Sequence, residues 1–158
     1  MPRLASSGAR YVILGTGSRD IEDGLLYAEQ VHSNEIKFFN ELNEELAHLL
    51  YSGGDMFIMP SLFEPCGLSQ MISMRYGTVP IARATGGLAD TVRDVDSEDS
   101  GNGFLFYDYK QNSMVSAINR AIRLFFDNTE WTKLMKRCME TDFSWNKSAL
   151  SYLDIYRF

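Results

Sequence analysis

DMFIMPSLFEPCGLSQMISMRYGTVPIARATGGLADTV, residues 55–92, reads as strand, polar loop, helix, strand and a glycine turn opening a second helix. Asp55 to Pro60 is a short apolar run of the kind that fits a buried parallel strand. Pro65 and Gly67 then break regularity. From Leu68 to Tyr76, apolar residues at Leu68, Met71, Ile72 and Met74 fall near helical spacing, and Gly77 suits the end of that helix. Val79 to Ala84 is the next strand. Thr85, Gly86 and Gly87 turn the chain into a helix from Leu88 to Val92. Two strand-to-helix turns therefore lie at one end of a parallel sheet, the edge at which open α/β sheets bind ligands. Each turn opens a helix whose free amides favour an anion, and glycines 67, 86 and 87 leave those amides uncovered. Glu64 stands in the first turn. This chemistry fits a phosphate-bearing ligand with a polar group near Glu64.

Outward from this stretch, Arg10 to Gly15 and Glu35 to Phe39 read as further strands. A helix from Ile21 to Val31, with Asp20 as its cap and Leu25, Leu26 and Ala28 inward, joins them. Gly15-Thr-Gly17 lacks the third glycine of a dinucleotide fingerprint and reads as a plain turn. Asn40 to Tyr51 is a helix burying Leu42, Leu46, Leu49 and Leu50, with His48 as a hydrogen-bonded structural residue. Arg93 to Gly103 is acidic, lacks calcium-loop spacing and reads as a solvated loop. Phe104 to Phe106 is the last of five strands. Helices follow over 111–126, with Met114, Ile118, Ala121, Ile122 and Phe125 inward, and over 130–139 and 148–156. Trp131, Trp145 and Tyr152 read as packing residues. The fold class is α/β, a Rossmann-like parallel sheet with helices on both faces.

The 158 residues suffice for one domain, and 45% hydrophobic with 23% charged residues is ordinary for a globular protein. A net charge of −6 argues against a nucleic-acid partner. No run is apolar enough to span a membrane, and Met1-Pro-Arg-Leu leads into no apolar leader segment. Cys66 and Cys138 form neither a metal pattern nor a disulfide framework, so a reduced, intracellular setting is the expectation.

Phe63-Glu-Pro-Cys-Gly-Leu-Ser-Gln70, then Arg75-Tyr-Gly-Thr-Val-Pro80 and Thr85-Gly-Gly-Leu-Ala-Asp-Thr-Val92, resembles bacterial glycogen synthase and plant starch synthase. The similarity continues at Asn102-Gly-Phe104 and Asp142-Phe-Ser-Trp145. These enzymes are retaining glycosyltransferases of the two-domain GT-B type. The resemblance implies that residues 1–158 are a single partial domain, the C-terminal nucleotide-sugar-binding half. The N-terminal domain and the second domain's first strand are expected to lie upstream of Met1. The family places that strand between Tyr11–Leu14 and Asp55–Met59. Its place would be taken by direct pairing of its neighbours, by a swapped segment, or by an open groove. An unpaired central edge invites self-association.

The resemblance further implies transfer of glucose from ADP-glucose to the non-reducing end of an α-1,4-glucan, with no cofactor and no metal. Glu64 matches the glutamate that lies against the donor sugar, where it hydrogen-bonds a hydroxyl and stabilises charge at the anomeric carbon. Capping of the following helix is its other use. Cys66, Gly67 and Leu68 match positions whose amides approach the sugar; nothing in the sequence nearby activates Cys66 as a nucleophile. Thr85, Gly86 and Gly87 match the turn that holds the distal phosphate, and Leu88 packs near the ribose or phosphates. Ile72 replaces the ribose-binding glutamate of many GT-B enzymes, as is common in the glycogen synthase branch. Leu42 stands where the family often has an aromatic residue that stacks on adenine, with Phe38 and Phe39 slightly upstream. The glucan acceptor would bind the absent N-terminal domain, which carries the family's lysine-glycine motif and histidine, so the chain alone should be inactive. The alternatives are a UDP-sugar-dependent GT-B glycosyltransferase and a non-catalytic nucleotide- or glucan-binding module. Bacterial cytoplasm is the expected location, with plastid stroma as the alternative.

Overall fold

A computed structural model describes residues 2–97 and 99–157. Among these residues, five parallel strands alternate with helices. The order is α1 (Pro2–Ala5), β1 (Tyr11–Leu14), α2 (Arg19–Val31), β2 (Ile36–Phe39), α3 (Glu44–Gly53), β3 (Met56–Met59), α4 (Ser69–Arg75), β4 (Val79–Arg83), α5 (Gly86–Thr91) and β5 (Phe104–Phe106). Three helices close the chain: α6 (Gln111–Phe125), α7 (Asn128–Glu140) and α8 (Trp145–Tyr156). Helices cover both faces of the strands, as in the GT-B fold.

The five strands form two sheets. β1 pairs with β2, Tyr11 opposite Ile36. β3, β4 and β5 form the other, with Met56 opposite Val79 and Ile81 opposite Phe104. β1 and β3 do not pair, which removes direct pairing from the three expected outcomes. A ladder needs its neighbour about 4.8 Å away, and among the described residues no strand lies between β1 and β3.

The core is built on the three-stranded sheet. Val79, Ile81 and Ala82 of β4 are buried, as are Phe104, Leu105 and Phe106 of β5. Met74, Leu88, Ala117, Ile118, Ala121, Trp131, Leu134 and Cys138 pack on them from α4, α5, α6 and α7. Both faces of β4 are covered, which is why its sequence runs apolar without alternation. In the first 55 residues only Leu4, among those described, packs against this cluster.

Several local expectations shift. Ser18, not Asp20, is the N-cap of α2, and Asp20 lies in the first turn. Asn43 caps α3 by accepting from the Leu46 amide at 2.9 Å, so that helix starts at Glu44 rather than Asn40. Leu42 and Leu49 are exposed. Trp131 is buried, meeting Phe125 edge-on at 5.3 Å between centroids, but Trp145 and Tyr152 are exposed. They lie on α8, in which no residue is buried.

The acidic loop after α5 is not simply solvated. Asp94 is buried, pairs with Arg120 of α6 and accepts from the amides of Leu105 at 2.6 Å and Asp96 at 2.9 Å. Asn102 accepts from the Arg93 amide at 2.8 Å and donates to the Thr91 carbonyl at 3.1 Å, tying both ends of the loop.

Candidate nucleotide-sugar site

β3 and β4 run parallel, so the loops leaving their carboxyl ends emerge side by side. The first, Pro60 to Leu68, carries Glu64, Cys66 and Gly67. The second, Ala84 and Thr85, leads into Gly86 and Gly87. The two meet backbone to backbone. The Gly87 amide donates to the Glu64 carbonyl at 2.9 Å. A methyl group on Gly86 would overlap the Glu64 carbonyl oxygen, and one on Gly87 the Cys66 carbonyl oxygen. Gly86 also holds φ +46°, and Gly67 holds φ +73°, values that L side chains resist. Only glycine allows these two turns to share one seam.

The placement of each expected site residue follows from that contact. Glu64 is half-buried in the seam, with its main chain against Gly86 and Gly87. Cys66 is exposed, Gly67 buried and Leu68 exposed. Thr85 is half-buried and Gly86 exposed, while Gly87 and Leu88 are buried. Leu88 belongs to the core cluster, and its amide donates to the Thr85 carbonyl at 3.1 Å. The Gly87 and Leu88 amides are thus engaged by the protein itself. Both helices are short, six residues for α5 and seven for α4. An anion here would be held by individual amides rather than by a long macrodipole.

Sequence reasoning missed two residues. Gln70 is fully buried; its Nε2 donates to the Gly67 carbonyl at 2.7 Å and to Thr91 Oγ1 at 3.0 Å. The buried face of α4 is Gln70, Ser73 and Met74. Leu68, Met71 and Ile72 instead line an apolar groove of about 830 Å³ together with Arg75 and residues 139–144. The signal for Gln70 was its i, i+3, i+4 spacing to Ser73 and Met74, obscured because two of the three are polar. Arg83, at the end of β4, donates through Nη1 to the carbonyls of Leu62 at 2.6 Å and Ser61 at 3.2 Å. Its guanidinium lies 5.5 Å from the Tyr109 ring centroid, and its buried Nε has no partner. It fixes the loop just before Glu64.

A second cavity of about 320 Å³ lies at Arg120, Arg123 and Asp127. Neither of these two cavities is lined by Glu64, Gly86 or Gly87. Among the described residues, no group of three His, Cys, Asp or Glu side chains is arranged to hold a metal ion. No helix among them is long and apolar enough to cross a membrane.

Residues 1–138 match the family model described as glycosyl transferases group 1. Glycogen synthase from Bacillus cereus (strain B4264) is 45% identical over 147 residues, which is 92% of this chain and 31% of that enzyme. Glycogen synthase from Clostridium botulinum (strain Alaska E43 / Type E3) is 41% identical over 156 residues, 98% of this chain and 33% of that enzyme. Among solved structures, the catalytic domain of starch synthase IV from Arabidopsis thaliana, bound to ADP and acarbose, superposes with a TM-score of 0.85 at 38% identity. That match covers 96% of this chain and 32% of the other. The chain spans about a third of the length of the curated relatives it matches. With strand order, the glycine seam and sequence in agreement, the chain belongs to the group 1 glycosyl transferases.

Proposed function

We propose that this chain is the nucleotide-sugar half of a glucan synthase that moves glucose from ADP-glucose to the non-reducing end of an α-1,4-glucan with retention of configuration. The observation that carries this is the seam: the Glu64 loop and the Gly86–Gly87 turn in backbone contact at the carboxyl edge of parallel strands. A ligand lying along it would meet Glu64 at one end and the Thr85 and Gly86 amides at the other. The identity to glycogen synthases supports the same reading.

In this reading Glu64 hydrogen-bonds a glucose hydroxyl and stabilises positive charge at the anomeric carbon. The amides around Cys66, Gly67 and Leu68 orient the sugar. With the Gly87 and Leu88 amides bonded within the protein, Thr85 and Gly86 are left as the donors for the distal phosphate. Leu88 supports that turn from the core. As the acceptor oxygen bonds to the anomeric carbon, the bond to the phosphate oxygen breaks and its electron pair leaves with ADP. Contacts to that phosphate strengthen as its charge grows, which is where they lower the barrier. The transfer needs no resident cofactor or metal. Binding and transfer that persist in EDTA support that, and loss that magnesium restores overturns it.

The glucan is bound by parts of the enzyme outside this chain, so the chain alone transfers little or no glucose. Elongation of maltooligosaccharide by the 158-residue chain at the rate of an intact synthase would refute this. Copies of the chain associate through the unpaired edges of β1 and β3. The bacterial cytoplasm is the proposed location.

Calorimetry with ADP, UDP and maltooligosaccharide tests the assignment. Preferential ADP binding, weakened by Glu64→Ala only when glucose is attached, is the expected result. UDP preference would indicate a different glycosyltransferase, and glucan binding without nucleotide a non-catalytic module.

A further inference from the structure

We propose that Gln70 is a positioning residue that fixes the spacing and angle between the sugar-end turn and the phosphate-end turn. Its side chain leaves the first turn of α4 and crosses to α5. Nε2 donates to the Gly67 carbonyl at 2.7 Å and to Thr91 Oγ1 at 3.0 Å, with the Cys66 carbonyl further off at 3.4 Å. Thr91 Oγ1 in turn donates to the Gly87 carbonyl at 2.7 Å. The relay therefore runs Gly67, Gln70, Thr91, Gly87. It begins in one turn and ends in the other.

A second tie already joins the turns, the Gly87 amide on the Glu64 carbonyl at 2.9 Å. One hydrogen bond still permits rotation about its own axis. Two cross-links, one from Gly87 to Glu64 and one from Thr91 to Gln70, remove that freedom. Gly67 is part of the same device: a side chain there would meet Gln70 Oε1 at 2.6 Å, so the glycine lets the carboxamide lie directly beneath the turn.

A residue that merely filled space here would be apolar. Gln70 instead keeps Oε1 buried with no partner, at a free-energy cost a methionine would avoid. Both amide hydrogens go to the relay and its two turns. The donor function thus accounts for the residue type. Gln70→Glu keeps the shape and replaces the donor with an acceptor facing carbonyl oxygens. Thr91→Val keeps the shape and removes the hydroxyl.

The coupling of the turns stands on geometry alone. Its effect on ligands rests on the function proposed above. The first experiment is amide hydrogen exchange on the 158-residue chain. In Gln70→Glu and in Thr91→Val, exchange at residues 66–69 and 86–91 should rise together by about tenfold, the equivalent of one buried hydrogen bond. The β4 and β5 amides should stay protected, and Thr91→Ser should restore the wild-type pattern. Faster exchange in only one of the two segments would overturn the proposal. So would a uniform loss across the sheet.

The second experiment is calorimetry with ADP and with ADP-glucose. ADP touches mainly the phosphate-end turn and should bind the variants nearly as well as wild type. ADP-glucose spans both turns and should lose about tenfold, a loss that Thr91→Ser does not show. Equal losses for both ligands would overturn the positioning role. If the wild-type chain binds neither, the proposed function fails, and the exchange experiment still decides the coupling.

Discussion

At the scale of single residues, the seam is governed by what is absent from Gly86 and Gly87. Gly87→Ala forces a methyl group into the Cys66 carbonyl, backbone against backbone, where neither side can rotate away. The expected cost is about 3 kcal/mol, the upper range for overpacking, read as a fall in the urea midpoint at unchanged slope. Cys138 makes a different kind of prediction. Burial pushes its thiol up to about 12 from the ordinary 9.0, and the thiol donates to the Asn102 carbonyl at 3.1 Å. Below pH 9 it is protonated in folded and unfolded chains alike. Between 9 and about 12 only the unfolded chain releases the proton, so stability falls as pH rises, by about 1.4 kcal/mol per unit. Cys138→Ala should carry a constant loss from the cavity but lack this alkaline slope, measured by urea unfolding at pH 8, 9.5 and 10.5. Exposed Cys66 should react with iodoacetamide in the native chain while Cys138 does not. That Glu64 and the glycines share one edge was legible from sequence, because parallel strands oblige successive strand-to-helix turns to emerge there. Gln70 was not, because a glutamine on a short helix reads as surface.

At the scale of elements, the segment after α5 is the instructive one. Its composition suggests a solvated loop, yet Asp94 and Asn102 are both buried. Burial lowers the affinity of the Arg120 guanidinium for its proton, but its bonds to Asp94 and Asp96 outweigh that and raise it overall. Sequence cannot show which of several acidic residues meets an arginine on the next helix; the packing of β5 against α6 decides it. Asp94→Ala removes one half of a buried pair and two acceptors for main-chain amides. The loss should be about 3 kcal/mol, with the urea midpoint as the readout. Arg120→Ala and the double variant complete a cycle, and strong non-additivity is expected for partners in direct contact. The strands were legible for the opposite reason. Val79 to Arg83 and Phe104 to Phe106 are short apolar runs that can be satisfied only by burial on two faces. The helical spacing of α4 was legible, but its buried face joins Met74 to the polar Gln70 and Ser73, while Met71 and Ile72 line a groove.

At the scale of the whole molecule, five parallel strands were foreseen but their division into two sheets was not settled. Strand patterns report burial and direction, whereas pairing depends on which neighbour is present. Unpaired edges on β1 and β3 favour contact between copies. Sedimentation velocity should therefore show mass rising with concentration, and a strict monomer at every concentration would count against it. The β1–α2–β2 unit makes no extensive interface with the three-stranded core, and the helix that follows it, α3, packs on α4. Amides of β1 and β2 should lose protection at lower denaturant than those of β4 and β5, read by native-state hydrogen exchange. Heat should therefore release the chain in two stages, the smaller leaf first. A scanning calorimeter would then record more enthalpy than the steepness of the transition implies, and no one melting temperature would describe the molecule.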